Sequence, residues 1–163
     1  RSCVVRSQGG TGVLFRSHLQ LSELDAQSGP MLERTGGTHG PAWTLANTRF
    51  KGATTVTGAI YFPTGVGMQL DNLRLLLELA SVLLGLGCPF ILGGDWNCTP
   101  EELAATGVPA RLRASIIQAS NVPHTCSAGH GRHLDLVLVS DCLGGGIAGL
   151  QARLDTVWKP HDC

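Results

Sequence analysis

Apolar residues gather in short runs along the chain, separated by segments rich in glycine and proline. Residues 54–62 are rich in Val, Thr, Ile and Tyr and stop at a proline, which is typical of a β-strand. Residues 89–92, Pro-Phe-Ile-Leu, form the continuous apolar run expected of a strand that is buried on both faces. Residues 134–139 are again strand-like, and residues 13–15 form a short β-type run after a glycine turn. These runs predict the strands of a sheet.

A leucine-rich segment before residue 89 predicts an amphipathic helix. Asp71 or Asn72 is expected to cap its amino terminus, and Gly85 and Gly87 are expected to end it. Leucines cover nearly one whole face of this helix and stand at positions 73, 76, 77, 79, 83 and 84. A helix with such a face is expected to pack onto a sheet.

A second helix is predicted to begin at Pro100, with Thr99 as its N-cap. Residues 27–41 and 121–132 are predicted to be loops. Strands therefore alternate with helices, which favours a layered α/β fold. A chain of 163 residues with 43% hydrophobic content amounts to one domain at most, so residues 1–163 are predicted to form a single domain.

Charge and cysteine content narrow the possible functions. Twelve basic and twelve acidic side chains cancel, which excludes a long-range positive field for nucleic acid, so any phosphate contact must be local. Six cysteines form no Cys-x-x-Cys pair, and we interpret them as reduced thiols of an intracellular protein. The most apolar stretch, residues 73–92, contains Arg74 and Glu78 and is broken by glycine and proline, so no membrane span is predicted.

Polar residues with chemical potential follow the apolar run at 89–92 directly. Asp95 and Asn97 stand two residues apart, and in an extended chain such residues point to the same side. Gly93 and Gly94 leave room for a substrate, and ligands of open α/β sheets bind at this end of the strands. Taken alone, the motif is equally consistent with a polar turn in which the aspartate caps the following segment.

Four segments, taken together, resemble the endonuclease/exonuclease/phosphatase family and occur in the order of its motifs. Residues 89–97 with the following Thr99-Pro100 resemble its Gly-Asp-x-Asn signature. The other three are residues 59–63, similar to a strand ending in Tyr-x-Pro; Thr125 with residues 133–140, similar to a Thr…Asp strand; and residues 159–161, similar to the terminal catalytic-His segment. The resemblance extends from about residue 9 to the last residue.

This resemblance implies a two-sheet α/β sandwich flanked by helices and a Mg²⁺-dependent hydrolysis of phosphoesters, with Mn²⁺ as the alternative metal. The substrate would be nucleic acid or another phosphoester, since the family includes nucleases, sphingomyelinases, inositol phosphatases and the endonuclease domains of retroelements. The family also carries an Asn and a metal-binding Glu upstream of the segment at Gly9, and only eight residues precede Gly9 here. The resemblance therefore implies a fold that is incomplete at the amino terminus, with the principal metal ligand absent from this chain.

Hydrolysis of a phosphodiester needs a positioned water, a base and positive charge near the phosphate oxygens. Asp95 is the predicted base, and Asn97 is predicted to donate a hydrogen bond to the phosphate or the attacking water. His161 would polarise the phosphoryl group while Asp135 holds its imidazole in one tautomer. Tyr61 would add a hydrogen bond to phosphate. Asp135 is flanked by leucines, where a carboxylate needs a partner, which favours a function or at least an ion pair.

Several alternatives stay open at this stage. His161 follows Lys159-Pro160, where the family has Ser-Asp, and is also consistent with a solvated residue near the terminus. Tyr61 is as consistent with a core or rim aromatic, and Trp96 is predicted to serve packing. Thr64 stands where the apurinic endonuclease branch has Asn, so that specificity is not predicted. As a whole, the chain is also consistent with a catalytically inactive remnant of the family that acts at most as a binding module.

Two further motifs are interpreted as structural. Four residues within ten positions suggest zinc but lack the paired spacing of structural zinc sites; they are His124, Cys126, His130 and His133. Residues 144–149 match Gly-x-Gly-x-x-Gly after a strand, yet only fourteen residues follow, too few for the rest of a dinucleotide-binding unit. We therefore predict a flexible connector there.

Overall fold

A computed structural model describes Thr11 and residues 21–28, 42–50, 52–126, 131–147 and 149–151. The strands are β1 (Leu21–Ser28), β2 (Trp43–Phe50), β3 (Ala53–Tyr61), β4 (Phe90–Asp95), β5 (Ala114–Gln118) and β6 (Asp135–Ser140). The helices are α1 (Leu70–Leu86), α2 (Pro100–Ala105), α3 (Val108–Arg111) and α4 (Asp141–Gly144). This alternation confirms the predicted α/β class.

The strands form one mixed sheet of six strands in the order β1-β2-β3-β4-β6-β5. Only the central pair β3 and β4 is parallel among these strands, and α1 connects the two. The neighbouring pairs β1 with β2, β2 with β3, β4 with β6, and β5 with β6 are all antiparallel. A parallel pair needs a crossover connection, which the helix provides. The described residues form no second sheet, and the strand predicted at residues 13–15 lies outside them.

The helices α1, α2 and α3 cover one face of the sheet. Val56, Ile60 and Leu92 point to this face at alternate positions of β3 and β4, and they share one buried cluster with Leu76 and Leu79 of α1. Leu103 of α2 and Val108 of α3 belong to the same cluster. The opposite face of the sheet therefore points away from these helices.

The helix α1 differs from its prediction at the amino terminus. Its N-cap is Gln69, which makes no side-chain capping bond, so Asp71 and Asn72 are not caps. The prediction was wrong because the Asn72 side chain donates hydrogen bonds to backbone carbonyls of the preceding loop instead. At the other end Gly87 adopts a left-handed conformation, φ 62°, and caps the helix as predicted, whereas Gly85 lies inside the last turn.

The leucine face of α1 is only partly buried. Leu76, Leu79 and Leu83 are buried, but Leu77 is 50% exposed and Leu84 is 49% exposed. The sequence pattern treated these leucines as one face, although positions 77 and 84 lie on the outer side of the helix. No helix of the described residues is long and apolar enough to span a membrane.

The helix α2 confirms its predicted start. The Thr99 hydroxyl accepts a hydrogen bond from the Glu102 backbone N–H, and the Glu102 carboxylate accepts one from the Thr99 N–H. This reciprocal capping box, with Pro100 in the first turn, needs only four neighbouring residues.

Three strands were not predicted: β1, β2 and β5. The alternation of Trp43 and Leu45 with Thr44 is the signal that indicates β2. β1 ends at Ser28, inside the segment predicted as a loop from residue 27, and β5 is only five residues long. Gly144, the first glycine of the Gly-x-Gly-x-x-Gly match, is the last residue of the short helix α4, which directly follows β6.

Candidate active site

Three polar side chains meet at one level of the sheet. Tyr61 at the end of β3 is paired in register with Asp95 at the end of β4, and Asp95 is paired with Asp135 at the start of β6. Neighbours in register point to the same face, here the face opposite the helices. Asp95 is buried, Asp135 is half-buried and Tyr61 is 37% exposed. The structure therefore places the two predicted acidic residues and the predicted phosphate contact side by side.

Gly94 permits the close approach of β3 and β4 at this point. Its φ is 150°, a backbone conformation that residues with a side chain rarely adopt. A Cβ atom at this position would overlap with the carbonyl oxygen of Ile60 and lie 2.8 Å from its nitrogen. Gly93 differs, because a Cβ there would meet Val137 Cγ2 at 3.6 Å, an ordinary contact. Gly94 thus makes room for the neighbouring strand and brings Asp95 next to Tyr61.

The chain turns sharply directly after Asp95. β4 ends at Asp95, and Asn97 has a left-handed backbone with φ 49°. The Asn97 N–H donates to Asp95 Oδ1 at 3.0 Å, while the Asn97 side-chain amide donates to the Phe62 carbonyl at 2.7 Å. The prediction that the two side chains share a side of an extended chain was therefore wrong in its geometry. They are neighbours because the turn folds Asn97 back onto Asp95.

Trp96 anchors this turn from the helix side of the sheet. Its side chain is fully buried and its indole N–H donates to the Leu136 carbonyl at 2.9 Å. The ring also packs edge-on against Phe62, with ring centroids 5.5 Å apart. Trp96 thus serves packing, as predicted, and ties β4 to both of its neighbouring strands.

Thr125 holds the start of β6. Its hydroxyl oxygen accepts hydrogen bonds from the backbone N–H groups of Leu134 at 3.0 Å and Asp135 at 3.1 Å. These two bonds place the strand residue that carries the Asp135 carboxylate. A cavity of about 260 Å³ lies beside this point and is lined by Asp135, Thr125, Ala119 and Gln151. Room for a ligand thus exists next to Asp135.

Cys98 is buried behind the turn, close to acidic groups. Burial raises the pKa of its thiol to about 12, and the negative charges of Glu102 and Asp95 add to the effect. A thiol in this state is protonated at neutral pH and is a poor nucleophile. Cys98 is therefore interpreted as a packing residue of the site and not as a reacting group.

We expect Cys98 to resist iodoacetamide at pH 8 in the folded protein, whereas the exposed Cys142 is modified. Peptide mass spectrometry measures both positions in one sample, so Cys142 is the internal control. In guanidinium chloride both should react. Since the folded-state pKa lies above the unfolded value, this group's contribution to stability is constant below about pH 9 and declines from there towards pH 12. Modification of Cys98 at the rate of Cys142 would contradict the assignment.

The described part of the chain does not test the predicted catalytic His161. His161, Lys159 and Pro160 lie outside the described residues, as does His130. Within the described ranges, no group of three or more His, Cys, Asp or Glu side chains is placed to hold a metal ion. The predicted contact between Asp135 and His161 therefore stays a prediction.

Asn72 is the residue near the site that the sequence analysis did not find. It is fully buried, and its side-chain amide donates to the carbonyls of Pro63 at 2.9 Å and Gly67 at 2.7 Å. The loop that it holds follows Tyr61 directly. A polar residue among the leucines of α1 could have indicated a buried hydrogen-bonding role. An asparagine at the start of a helix is, however, first interpreted as a helix cap.

The profile of the Endonuclease/Exonuclease/phosphatase family matches residues 2–147. The chain belongs to this family. Its membership confirms the resemblance on which the site residues were chosen. No curated protein sequence matches the chain significantly.

Two solved structures have a similar fold. The endonuclease domain of TRAS1, a telomere-specific non-LTR retrotransposon, superimposes with a TM-score of 0.66 at 17% identity, over 91% of this chain and 66% of that domain. A mutant of beta toxin from Staphylococcus aureus with bound magnesium ions superimposes with a TM-score of 0.51 at 11% identity, over 64% of this chain and 44% of the toxin. The chain thus spans just under two thirds of the first and under half of the second. At these identities the likeness concerns the fold, and it confirms the predicted fold class.

Proposed function

We propose that this chain carries the Asp95 side of the active site of a metal-dependent phosphodiesterase of the endonuclease type. One observation supports this proposal above all. Tyr61, Asp95 and Asp135 stand in register on three adjacent strands and on one face of the sheet. A phenol and two carboxylates at the ends of strands form a polar site where ligands of α/β sheets commonly bind.

The pair of carboxylates fits a divalent cation. Directly paired residues on antiparallel strands have Cβ atoms about 5 Å apart, and like charges at that distance destabilise a sheet. A cation between Asp95 and Asp135 would offset this repulsion. Mg²⁺ is commonly held by one or two carboxylates and keeps several waters, so the described pair fits Mg²⁺, with Mn²⁺ as the alternative. Such an ion would supply positive charge to the phosphoryl oxygens.

The side chains of the site divide the remaining work. Asp95 accepts the proton of the attacking water. Asn97 uses one amide hydrogen on the Phe62 carbonyl, which holds the turn, and its nitrogen carries a second hydrogen for the phosphate. Tyr61 donates to a non-bridging phosphate oxygen. Asp135 orients the imidazole of His161, which polarises the phosphoryl group.

The proposed substrate is nucleic acid. Residues 2–147 match a family named for endonucleases and exonucleases, and the fold resembles a retrotransposon endonuclease domain. Because the chain has no net charge, contacts to the nucleic acid would be local ones at the site. We further propose that residues 1–163 form one domain of an intracellular protein, in which the described cysteines, Cys88, Cys98, Cys126 and Cys142, are free thiols.

Metal binding tests the proposed site directly. We expect calorimetric titration to show Mg²⁺ binding in the millimolar range, and Asp95→Asn or Asp135→Asn to weaken it about tenfold or more, since each removes one of two charged ligands. Asp71→Asn, which removes an exposed carboxylate on α1, is the matched control and should bind like the unchanged chain. Equal Mg²⁺ affinity in all four proteins would contradict the acidic pair as a cation site.

A further inference from the structure

Asn72 closes the loop between β3 and α1. It lies in the first turn of α1, and both hydrogen bonds of its amide nitrogen go to carbonyls of this loop, Pro63 at 2.9 Å and Gly67 at 2.7 Å. The loop begins directly after Tyr61 and Phe62. One side chain of the helix therefore holds two points, Pro63 and Gly67, of the loop that follows the predicted phosphate contact.

A second amide holds the adjacent carbonyl. Asn97 donates to Phe62 O at 2.7 Å, and Asn72 donates to the next carbonyl along the chain, that of Pro63. Two asparagines, one from α1 and one from the turn after β4, thus donate hydrogen bonds to consecutive carbonyls at the carboxyl end of β3. Tyr61 directly precedes Phe62, the first of these two residues.

The loop needs such a tether. Gly65 and Gly67 both have left-handed backbones, with φ values of 80° and 52°. Glycine loses more conformational entropy than other residues when a loop becomes ordered, so the contacts of this loop must offset that loss. Met68 packs against the core, and the two hydrogen bonds from Asn72 add polar contacts that hold the loop at Pro63 and Gly67.

Burial of the polar Asn72 side chain is unfavourable, and its two hydrogen bonds to the loop offset this cost. Its Oδ1 is buried without a hydrogen-bond partner among the described residues. A leucine or methionine would fill a buried helix position without an unpaired acceptor. The amide at this position is therefore accounted for by the two hydrogen bonds that it donates.

We propose that Asn72 is a positioning residue of the active site: it holds residues 63–69 so that the Tyr61 side chain stays beside Asp95. This inference rests on the proposed function, because it takes Tyr61 to contact phosphate. It extends that function, because Asn72 would fix the position of Tyr61 in the cleft although Asn72 itself contacts no substrate.

Selective labelling makes the proposal measurable. Tyr61 is the single tyrosine of the chain, so ¹³C labelling of tyrosine rings yields one NMR signal from this position. Inorganic phosphate is the probe, titrated against that signal. The variants are Asn72→Leu, which keeps a branched side chain without donors, and the smaller Asn72→Ser. Asp71→Asn, an exposed change on the same turn, is the matched control.

We expect Asn72→Leu to shift the Tyr61 signal and to weaken phosphate binding about tenfold, a change that corresponds to one well-placed hydrogen bond. Amide exchange in residues 63–69 should accelerate about tenfold or more, while β4 and β6 keep their protection. Asp71→Asn should match the unchanged chain in all three measurements. Should Asn72→Leu fail to fold, Asn72→Ser decides the question by the same measurements.

Two outcomes separate this inference from the proposed function. Faster exchange in the loop with an unchanged Tyr61 signal and unchanged phosphate affinity would overturn the inference, because Asn72 would then serve the loop alone. A Tyr61 signal that moves in Asn72→Leu but never responds to phosphate, even in the unchanged chain, would support the positioning role and contradict the proposed phosphate contact.

Discussion

Asp95→Asn is expected to lower Mg²⁺-dependent hydrolysis by about 10²–10⁴-fold, the range that a general base contributes to such reactions. The substitution removes the proposed base, and with it one of the two proposed Mg²⁺ ligands, at nearly constant volume. The new amide oxygen can still accept the hydrogen bond from the Asn97 N–H. Folding should therefore be retained. The assay uses plasmid DNA, abasic oligonucleotides and phosphate monoesters in millimolar Mg²⁺.

The protein to be assayed is this chain joined to an upstream segment that bears an acidic metal ligand. We propose that such a ligand completes the site, because a pair of carboxylates alone holds Mg²⁺ weakly. We therefore expect the chain by itself to be nearly inactive on all three substrates, since the charge that stabilises the transition state is mostly lost. Asp71→Asn in the extended protein is the control and should retain full activity.

Each possible result of this assay has a distinct meaning. Full activity of Asp95→Asn would contradict the role of Asp95 as base. A folded extended protein that hydrolyses none of the substrates would favour an inactive remnant of the family. Circular dichroism of each variant separates loss of chemistry from loss of fold.

Gly94→Ala is expected to have the largest effect on stability of any single methyl group added near the site. The left-handed backbone, φ 150°, alone costs an alanine about 1–3 kcal/mol, and the added Cβ overlaps with the Ile60 backbone of the next strand. Together these effects should lower the free energy of unfolding by about 4 kcal/mol or more. Because a domain of this size is stable by only about 5–15 kcal/mol, the variant should lose about a quarter or more of its stability.

Gly93→Ala is the matched control for this prediction. Its Cβ would meet Val137 Cγ2 at 3.6 Å without overlap, so the free energy of unfolding should change by less than about 1 kcal/mol. Urea unfolding followed by Trp fluorescence measures both variants. A Gly94→Ala protein as stable as Gly93→Ala would show that β3 and β4 do not approach as closely as described.

Features that depend on a few neighbouring residues were readable from the sequence. The capping box of Thr99 and Glu102 and the left-handed Gly87 are closed by hydrogen bonds within four residues, so the pattern alone predicts both helix ends. The apolar run of β4 and the glycines before Asp95 likewise marked the position of the site. Asp95, Asp135 and Tyr61 were predicted in this way, with the family resemblance, and the structure pairs them in register.

The same local reasoning was wrong where a distant group competes. Asn72 has the composition of a cap, yet the carbonyls of Pro63 and Gly67 take its amide. Asn97 follows a strand, yet its bond to Phe62, thirty-five residues away, accompanies a left-handed turn and not an extended one. An asparagine side chain donates its hydrogen bonds to nearby carbonyl groups that lack a partner. The positions of those carbonyls depend on tertiary packing and not on the local sequence.

By itself, the sequence determined the α/β class, the carboxyl end of α1 and the amino end of α2, because each follows from local propensity or a short motif. It also indicated the acidic residues of the proposed site through short motifs. Only the tertiary structure decided that Asp95 and Asp135, forty residues apart, are directly paired and that Tyr61 completes the row. A shift of one residue in either pairing would send a carboxylate to the helix side of the sheet. That register is decided by the burial of alternate residues such as Leu92 and Leu138 against α1 and by the room that Gly94 leaves for Ile60.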